Sequence, residues 1–78
     1  MPSTDILSII EEQIGEEKLS SDTLLETLGG WNSLAVIGMI SKLDKRLGIQ
    51  LNPGLLASCK TVGDVISTVE SLSDQTLD

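Results

Sequence analysis

The stretch GGWNSLAVIGMISKLDKRLG, residues 29–48, decides how this chain folds. Val36, Ile37, Ile40, Leu43 and Leu47 recur at helical spacing, which predicts a helix over Ser33–Leu47, roughly 22 Å long at 1.5 Å per residue and buried along one stripe. Gly48 stops it. On the other side Leu34, Gly38, Ser41 and Lys45 form a second stripe, expected to face solvent. Ser33 stands between the glycine-rich loop and the helix. The first turn of a helix leaves backbone N–H groups unpaired and holds the positive end of the helix dipole, so an anionic group such as a phosphodiester on Ser33 is well placed. The plainer reading is that Asn32 or Ser33 only caps the helix.

Upstream, Ser3-Thr4-Asp5 followed by Ile6, Leu7, Ile10 and Ile14 predicts a capped helix with one apolar face, ending near Gly15. Glu11, Glu12, Glu16 and Glu17 cluster at its C-terminal end, where the dipole disfavours negative charge, and solvation is their expected role. Residues 18–32 are a long connection that Leu24, Leu25 and Leu28 are expected to pin to the core. A short helical turn fits near Thr23–Leu28, with Asp22 or Thr23 as its cap. Gly29-Gly30 permits backbone conformations that other residues avoid and leaves room for an enzyme to approach Ser33.

Downstream, Ile49 and Leu51 continue the apolar pattern in an extended segment. Asn52-Pro53 caps and opens a short helix with Leu55 and Leu56 inside, Pro53 standing at the first helical position, where its missing N–H costs nothing. Thr61 and Asp64 form a capping-box pattern, and Val62, Val65, Ile66, Val69 and Leu72 predict a last helix ending near Leu72. The β-branched residues of that run are spaced as in a helix, not alternating as in a strand. The expected architecture is all-α, a bundle of three main helices plus one short helix between the second and the last. It forms one domain over residues 1–78, with a core at about 5–72 and a frayed tail at 73–78.

Taken together, the Gly-Trp loop, the Asn32-Ser33-Leu34 triplet opening a helix and the Thr61-Val62-Gly63-Asp64 start of the last helix resemble the acyl carrier proteins. The resemblance runs from about Asp5 to Leu72. In that family an Asp-Ser-Leu triplet opens the second helix and its serine is esterified by 4′-phosphopantetheine, which implies covalent attachment at Ser33. It also implies two kinds of partner: a phosphopantetheinyl transferase, and enzymes that load and transfer an acyl or aminoacyl group held as a thioester. Trp31, Asn32, Leu34, Gly38, Ser41 and Lys45 are the residues a partner is expected to touch. Met39, Ile40, Leu43, Leu56 and Val62 either shelter an aliphatic chain, as the fold allows, or simply fill the core.

This chain departs from the family pattern in two ways. Asn32 replaces the usual aspartate and keeps its size and capping ability without its charge, so slower modification or a dedicated transferase is expected. The second helix carries Lys42, Lys45 and Arg46 with only Asp44, whereas carriers of fatty acid synthesis usually present an acidic surface there. A dedicated acyl or aminoacyl pathway is therefore expected instead of general fatty acid synthesis.

Composition narrows the remaining choices. The chain has 78 residues, twelve acidic and five basic, for a net charge of −7. Residues 1–30 sum to −6, residues 31–50 to +2 and residues 51–78 to −3, so the segment after the serine is locally basic in an acidic protein. That balance argues against nucleic acid and anionic membranes as partners. No apolar run approaches the roughly 20 residues needed to span a bilayer, and the N-terminus lacks a basic-then-apolar signal order; a soluble, cytoplasmic monomer is expected.

With no histidine, Ser33 lacks the usual general base of a serine hydrolase, and its surroundings do not read Gly-x-Ser-x-Gly. The acidic cluster has no calcium-loop spacing, phosphate-loop and dinucleotide signatures are absent, and no metal site is expected. The chain is read as a non-enzyme whose chemistry is supplied by a cofactor or a partner. Cys59, the single cysteine, is read as a small packing residue. Trp31, the single aromatic, is read as pinning the loop to the bundle, with partner contact as the alternative. The competing functional reading is a small acidic helical adaptor, or an unmodified carrier homologue, in which Ser33 serves as a cap.

Overall fold

Hydrophobic periodicity and the stop signals place four helices along the chain. They are α1 (Ser3–Ile14), α2 (Ser33–Leu47), α3 (Pro53–Ala57) and α4 (Val62–Gln75), with a short 3₁₀ turn at Leu25–Thr27. The computed structural model describes the backbone of residues 3–75 and the side chains of residues 5–72. Three long helices and one short one make the expected all-α bundle. Among the described residues the only strand-like pairing is an isolated bridge between Leu24 and Thr61.

The core is built from one stripe of each helix. Ile6, Ile9, Ile10 and Ile14 from α1 meet Val36, Met39 and Leu43 from α2, Leu56 from α3, and Val62, Val65 and Val69 from α4. Ile49 and Leu51 seal the extended link between α2 and α3. Ile9 takes the buried place expected of Leu7, which is half-buried at the edge.

Local sequence signals set the helix ends. Gly48 adopts the left-handed conformation (φ +67°), its N–H donates to the Asp44 carbonyl at 3.0 Å, and the Ile49 N–H donates to the Leu43 carbonyl at 3.3 Å. Glycine takes that conformation without a Cβ penalty, which is why α2 stops there. Asn52 caps α3, its Oδ1 accepting the Gly54 N–H at 2.8 Å. Thr61 and Asp64 close a reciprocal box at α4. The Asp64 N–H donates to Thr61 Oγ1 at 3.1 Å, and Asp64 Oδ2 accepts the Thr61 and Lys60 N–H groups at 3.1 and 3.0 Å. Those backbone donors hold the Asp64 carboxyl below its ordinary pKa. The α4 backbone stays helical to Gln75, a turn beyond Leu72, because backbone hydrogen bonding continues past the last apolar side chain. The expected frayed tail is therefore helical through Gln75, and residues 76–78 lie outside the described residues.

The long connection is stitched to the start of α4 by backbone hydrogen bonds. Leu25 N–H donates to the Lys60 carbonyl, Val62 N–H to Thr23 and Gly63 N–H to Ser21, at 2.8, 3.0 and 2.9 Å. Leu25 and Leu28 enter the core as expected, but Leu24 is exposed, because its backbone pairs with Thr61 and turns its side chain outward. Neither Asp22 nor Thr23 caps the 3₁₀ turn; Leu24 precedes it with no side-chain cap, and Thr23 Oγ1 instead accepts the Ser20 N–H. Leu55 is exposed too, since a helix of five residues buries only one side and Leu56 occupies it.

The acidic end of α1 is more than solvated surface. Glu11 Oε2 accepts the Leu19 N–H at 2.9 Å and so anchors the start of the connection. Glu12 bridges to α2, its carboxylate accepting two hydrogen bonds from the Arg46 guanidinium at 2.7 and 2.9 Å and one from Lys42 at 3.3 Å. The Arg46 hydrogen bonds first, then the one from Lys42, hold the Glu12 carboxyl down at about 2. Glu16 and Glu17 are exposed, as solvation requires.

Candidate functional site

The site begins at the α2 start. Asn32 is extended (φ −151°, ψ 180°), and its Oδ1 accepts the Ala35 N–H at 2.9 Å while its carbonyl accepts the Val36 N–H at 3.0 Å. Asn32 is thus the cap, and the Ser33 hydroxyl is left exposed with no hydrogen-bond partner among the described residues. The Ser33 and Leu34 N–H groups also have no protein acceptor among those residues, and the first turn of α2 holds no acid. An anion on Ser33 would therefore meet two open N–H donors and the positive end of the dipole, with no like charge in that turn.

The loop before it is fixed from both sides. Leu28 is buried, the Trp31 N–H donates to its carbonyl at 3.0 Å, and the half-buried Trp31 ring packs on the core. The two glycines do not adopt the special conformation expected of them, since neither has a positive φ. Gly30 is required for a different reason: a Cβ there would lie 2.5 Å from the Ile14 carbonyl oxygen, so only glycine lets the loop close on the end of α1. Gly29 has open space around it.

Beside Ser33 the surface is apolar. Leu34 is 79% exposed and Ile37 59% exposed. Ile37 leaves the buried stripe expected of it because Met39 lies at the centre of the core face. Two residues along a helix is a rotation of about 200°, so burying Met39 turns Ile37 outward. Trp31, Ser33, Val36, Ile37, Pro53 and Ala57 border a cleft of about 390 Å³ between the start of α2 and α3. Ser41 and Lys45 are exposed as expected, whereas Gly38 is half-buried under the Gln13 side chain of α1. The basic cluster is partly paired at the surface: Lys42 and Arg46 hold Glu12 of α1, which leaves Lys45 beside Asp44 on the outer face.

Met39, Leu43, Leu56 and Val62 are fully buried and Ile40 half-buried, all within the packed core. Cys59 is half-buried, its Sγ 3.4 Å from the Leu55 carbonyl and 3.7 Å from Thr68 Oγ1. Burial above all raises its thiol pKa, so it is a protonated packing group at neutral pH. Among the described residues no group of three His, Cys, Asp or Glu side chains is placed to hold a metal ion. No helix among them is long and apolar enough to cross a membrane.

The residues flanking the cleft that the sequence does not mark as site residues are Val36, Ile37, Pro53 and Ala57, of which the first two read as core and Pro53 as a helix start. They come from two segments some twenty residues apart, and no local pattern links them. The available signals are the phase of Met39 and the spacing of Ile37 from Leu34 and Ser41, which set it beside the solvent stripe.

The family model described as "PP-binding: Phosphopantetheine attachment site" matches residues 4–69. The chain belongs to the phosphopantetheine-binding carrier family. The solution NMR structure of the holo acyl carrier protein from Geobacter metallireducens is similar over 99% of this chain and 92% of that one, with a TM-score of 0.76 and 26% identity. The acetyl actinorhodin acyl carrier protein from Streptomyces coelicolor shares the fold at a TM-score of 0.74 and 17% identity, over 96% of this chain and 93% of that one. No curated protein matches the chain. Carriers of this family bind phosphopantetheine and work with phosphopantetheinyl transferases and acyl-transfer enzymes, and they are not themselves catalysts. This chain is a carrier of that kind, not an enzyme.

Proposed function

We propose that Ser33 is the residue to which 4′-phosphopantetheine is attached, and that the chain presents an acyl or aminoacyl group to partner enzymes. The observation that carries this reading is the division of labour at the α2 start. Asn32 does the capping, so the exposed Ser33 hydroxyl has no structural task. The adaptor reading needs Ser33 as a cap, and that role is already filled. Residue types and placement fit the group, since the two open N–H donors of Ser33 and Leu34 suit its phosphodiester and the apolar cleft suits the chain beyond. When bound, the group supplies a thiol that holds the cargo as a thioester, and the tether raises the cargo's effective concentration at each partner.

Partners dock, on this reading, over Trp31, Asn32, Leu34, Ser41 and Lys45, with Gly38 at the margin and Ile37 at the centre. Exposed leucine and isoleucine side by side give a small apolar anchor suited to repeated release. The face carries a single acid, Asp44, next to Lys45, so a partner that recognises carriers through a basic patch gains little here. A dedicated acyl or aminoacyl pathway fits that surface better than general fatty acid synthesis, and it rests on the scarcity of acids, because the basic cluster is spent on Glu12. A cytoplasmic setting goes with this reading, in which the lone thiol of Cys59 stays reduced.

The test is incubation of the apo protein with coenzyme A and a broad-specificity phosphopantetheinyl transferase, followed by intact mass. The wild type is expected to gain one phosphopantetheine and Ser33→Ala none. A wild type that gains nothing with several transferases, or an equal gain in Ser33→Ala, would overturn the proposal.

A further inference from the structure

We propose that Trp31 and Ala57 form the middle of a surface resting groove for the prosthetic arm. The groove runs from Ser33 toward Glu26 and Lys60 and does not enter the core between Met39 and Leu43. The proposal rests on the reading of Ser33 as the attachment residue. The cleft that opens at Ser33 does not stand alone: a second cleft, of about 430 Å³, shares Trp31 and Ala57 as walls and is bounded beyond them by Leu24, Glu26, Cys59 and Lys60. Both are open surface clefts, suited to a chain already tethered at one end.

Chemistry along this path matches a flexible chain of methylenes and amides. Val36, Ile37, Pro53, Ala57 and the exposed Leu24 offer apolar surface. The Trp31 indole N–H has no protein acceptor among the described residues and is not buried. Glu26 and Lys60 border the same cleft, yet no ion pair joins them within 4 Å. These are one fixed donor and two charged groups, near apolar walls, free to meet amide groups. The alternative path is closed in this structure, because Met39, Leu43, Leu56 and Val62 are fully buried and a chain could enter only by parting α2 from α3. Covalent tethering at the mouth makes even a weak groove well occupied, since binding there is intramolecular. The groove shares Trp31 and Ile37 with the proposed docking face, so a partner that covers them displaces the arm from rest.

Trp31 is the only aromatic residue, so its fluorescence reads one point of the groove. The experiment compares apo protein with protein shown by intact mass to carry one phosphopantetheine, using acrylamide quenching of Trp31 and amide chemical shifts. Loading is expected to lower the quenching constant and to shift the amides of Glu26, Trp31, Ala57 and Lys60. Ala57→Leu narrows the shared wall, and the loaded variant is expected to lose the shifts at Glu26 and Lys60 and to return to apo-like quenching. Loaded wild type with unchanged Trp31 quenching, or with shifts centred on Met39, Leu43 and Val62, would overturn the groove and leave the Ser33 reading standing. A wild type that never loads fails at the mass step, and there it is the Ser33 reading that falls.

Discussion

Helix α2 has two sides that do opposite work. Toward α1 it is locked: Met39 and Leu43 are fully buried, Gly38 lies under Gln13, Arg46 and Lys42 close on Glu12, and the loop at its head rests Gly30 on the Ile14 carbonyl. On its outer side, from the N-terminal turn to Ile37, it is open, with Ser33, Leu34 and Ile37 exposed around a cleft. The locked side can hold the helix rigid while the open side changes partners, because almost nothing on the open side is needed for stability. A carrier with so small a core has little stability to spare, and this separation lets the function-bearing surface stay apolar without weakening the fold.

If the separation is real, substitutions on the two sides diverge. Ser33→Ala lies wholly on the open side and is expected to lose all loading while its unfolding free energy stays within about 0.5 kcal/mol of wild type. Urea titration of the variant checks this, and a larger loss would mean that Ser33 has a structural role after all. Gly30→Ala breaks the locked side instead. Its Cβ collides with backbone that cannot swing away, so a loss of about 1 to 3 kcal/mol is expected in the same titration. Wild-type stability in that variant would show that the loop does not need its close approach to α1.

Asn32 stands on the border between the two sides, and its variants separate the roles. Asn32→Ala removes the cap and is expected to cost about 1 kcal/mol. Asn32→Asp keeps the acceptor, adds a negative charge at the positive end of the helix and is expected to preserve stability while speeding transferase loading. Equal loading rates for the wild type and the Asn32→Asp variant, measured by time-resolved intact mass, would sink the link between that charge and recognition.

The smallest expected effect belongs to the exposed clamp. Glu12 has its carboxyl pKa held down to about 2 by Arg46 and Lys42, below its unfolded value of about 4.3. A depressed pKa contributes stability that is fully present above the unfolded value and is lost as pH falls through the folded one, so the clamp should fade between about pH 4.3 and 2. Glu12→Gln is expected to be slightly less stable than wild type at neutral pH and low salt, with the gap closing in high salt and toward pH 2. Thermal melts at several pH values and two salt concentrations check it; a gap that persists at high salt would point to packing instead of charge.

These contrasts also explain what the sequence disclosed and what it withheld. The starts and stops of helices were legible because each is decided within a few residues: Asn52-Pro53 at α3, the Thr61 and Asp64 box at α4, and Gly48 at the end of α2. The candidate serine was legible for the same reason, since the Asn32-Ser33-Leu34 triplet sits at a helix start. Which of Asn32 and Ser33 caps was not, because both side chains are able to. Contacts between distant segments were hidden as well. The Glu12 and Arg46 pair spans 34 positions, so three cations on α2 read as a basic surface when two of them are turned to α1. Ile37, Leu24 and Leu55 looked like core by type and were turned outward by the phase of Met39, by the bridge to Thr61 and by the shortness of α3.

On the proposed reading, the open side of α2 carries its chemistry at Ser33 and nowhere else. Tandem mass spectrometry of peptides from transferase-loaded protein decides this at the level of a single residue. The phosphopantetheine is expected on the peptide containing Ser33, with fragment ions placing it on that serine. A group found on another serine, such as Ser41 or Ser58, or a protein that stays unmodified under conditions that load another carrier, would contradict it.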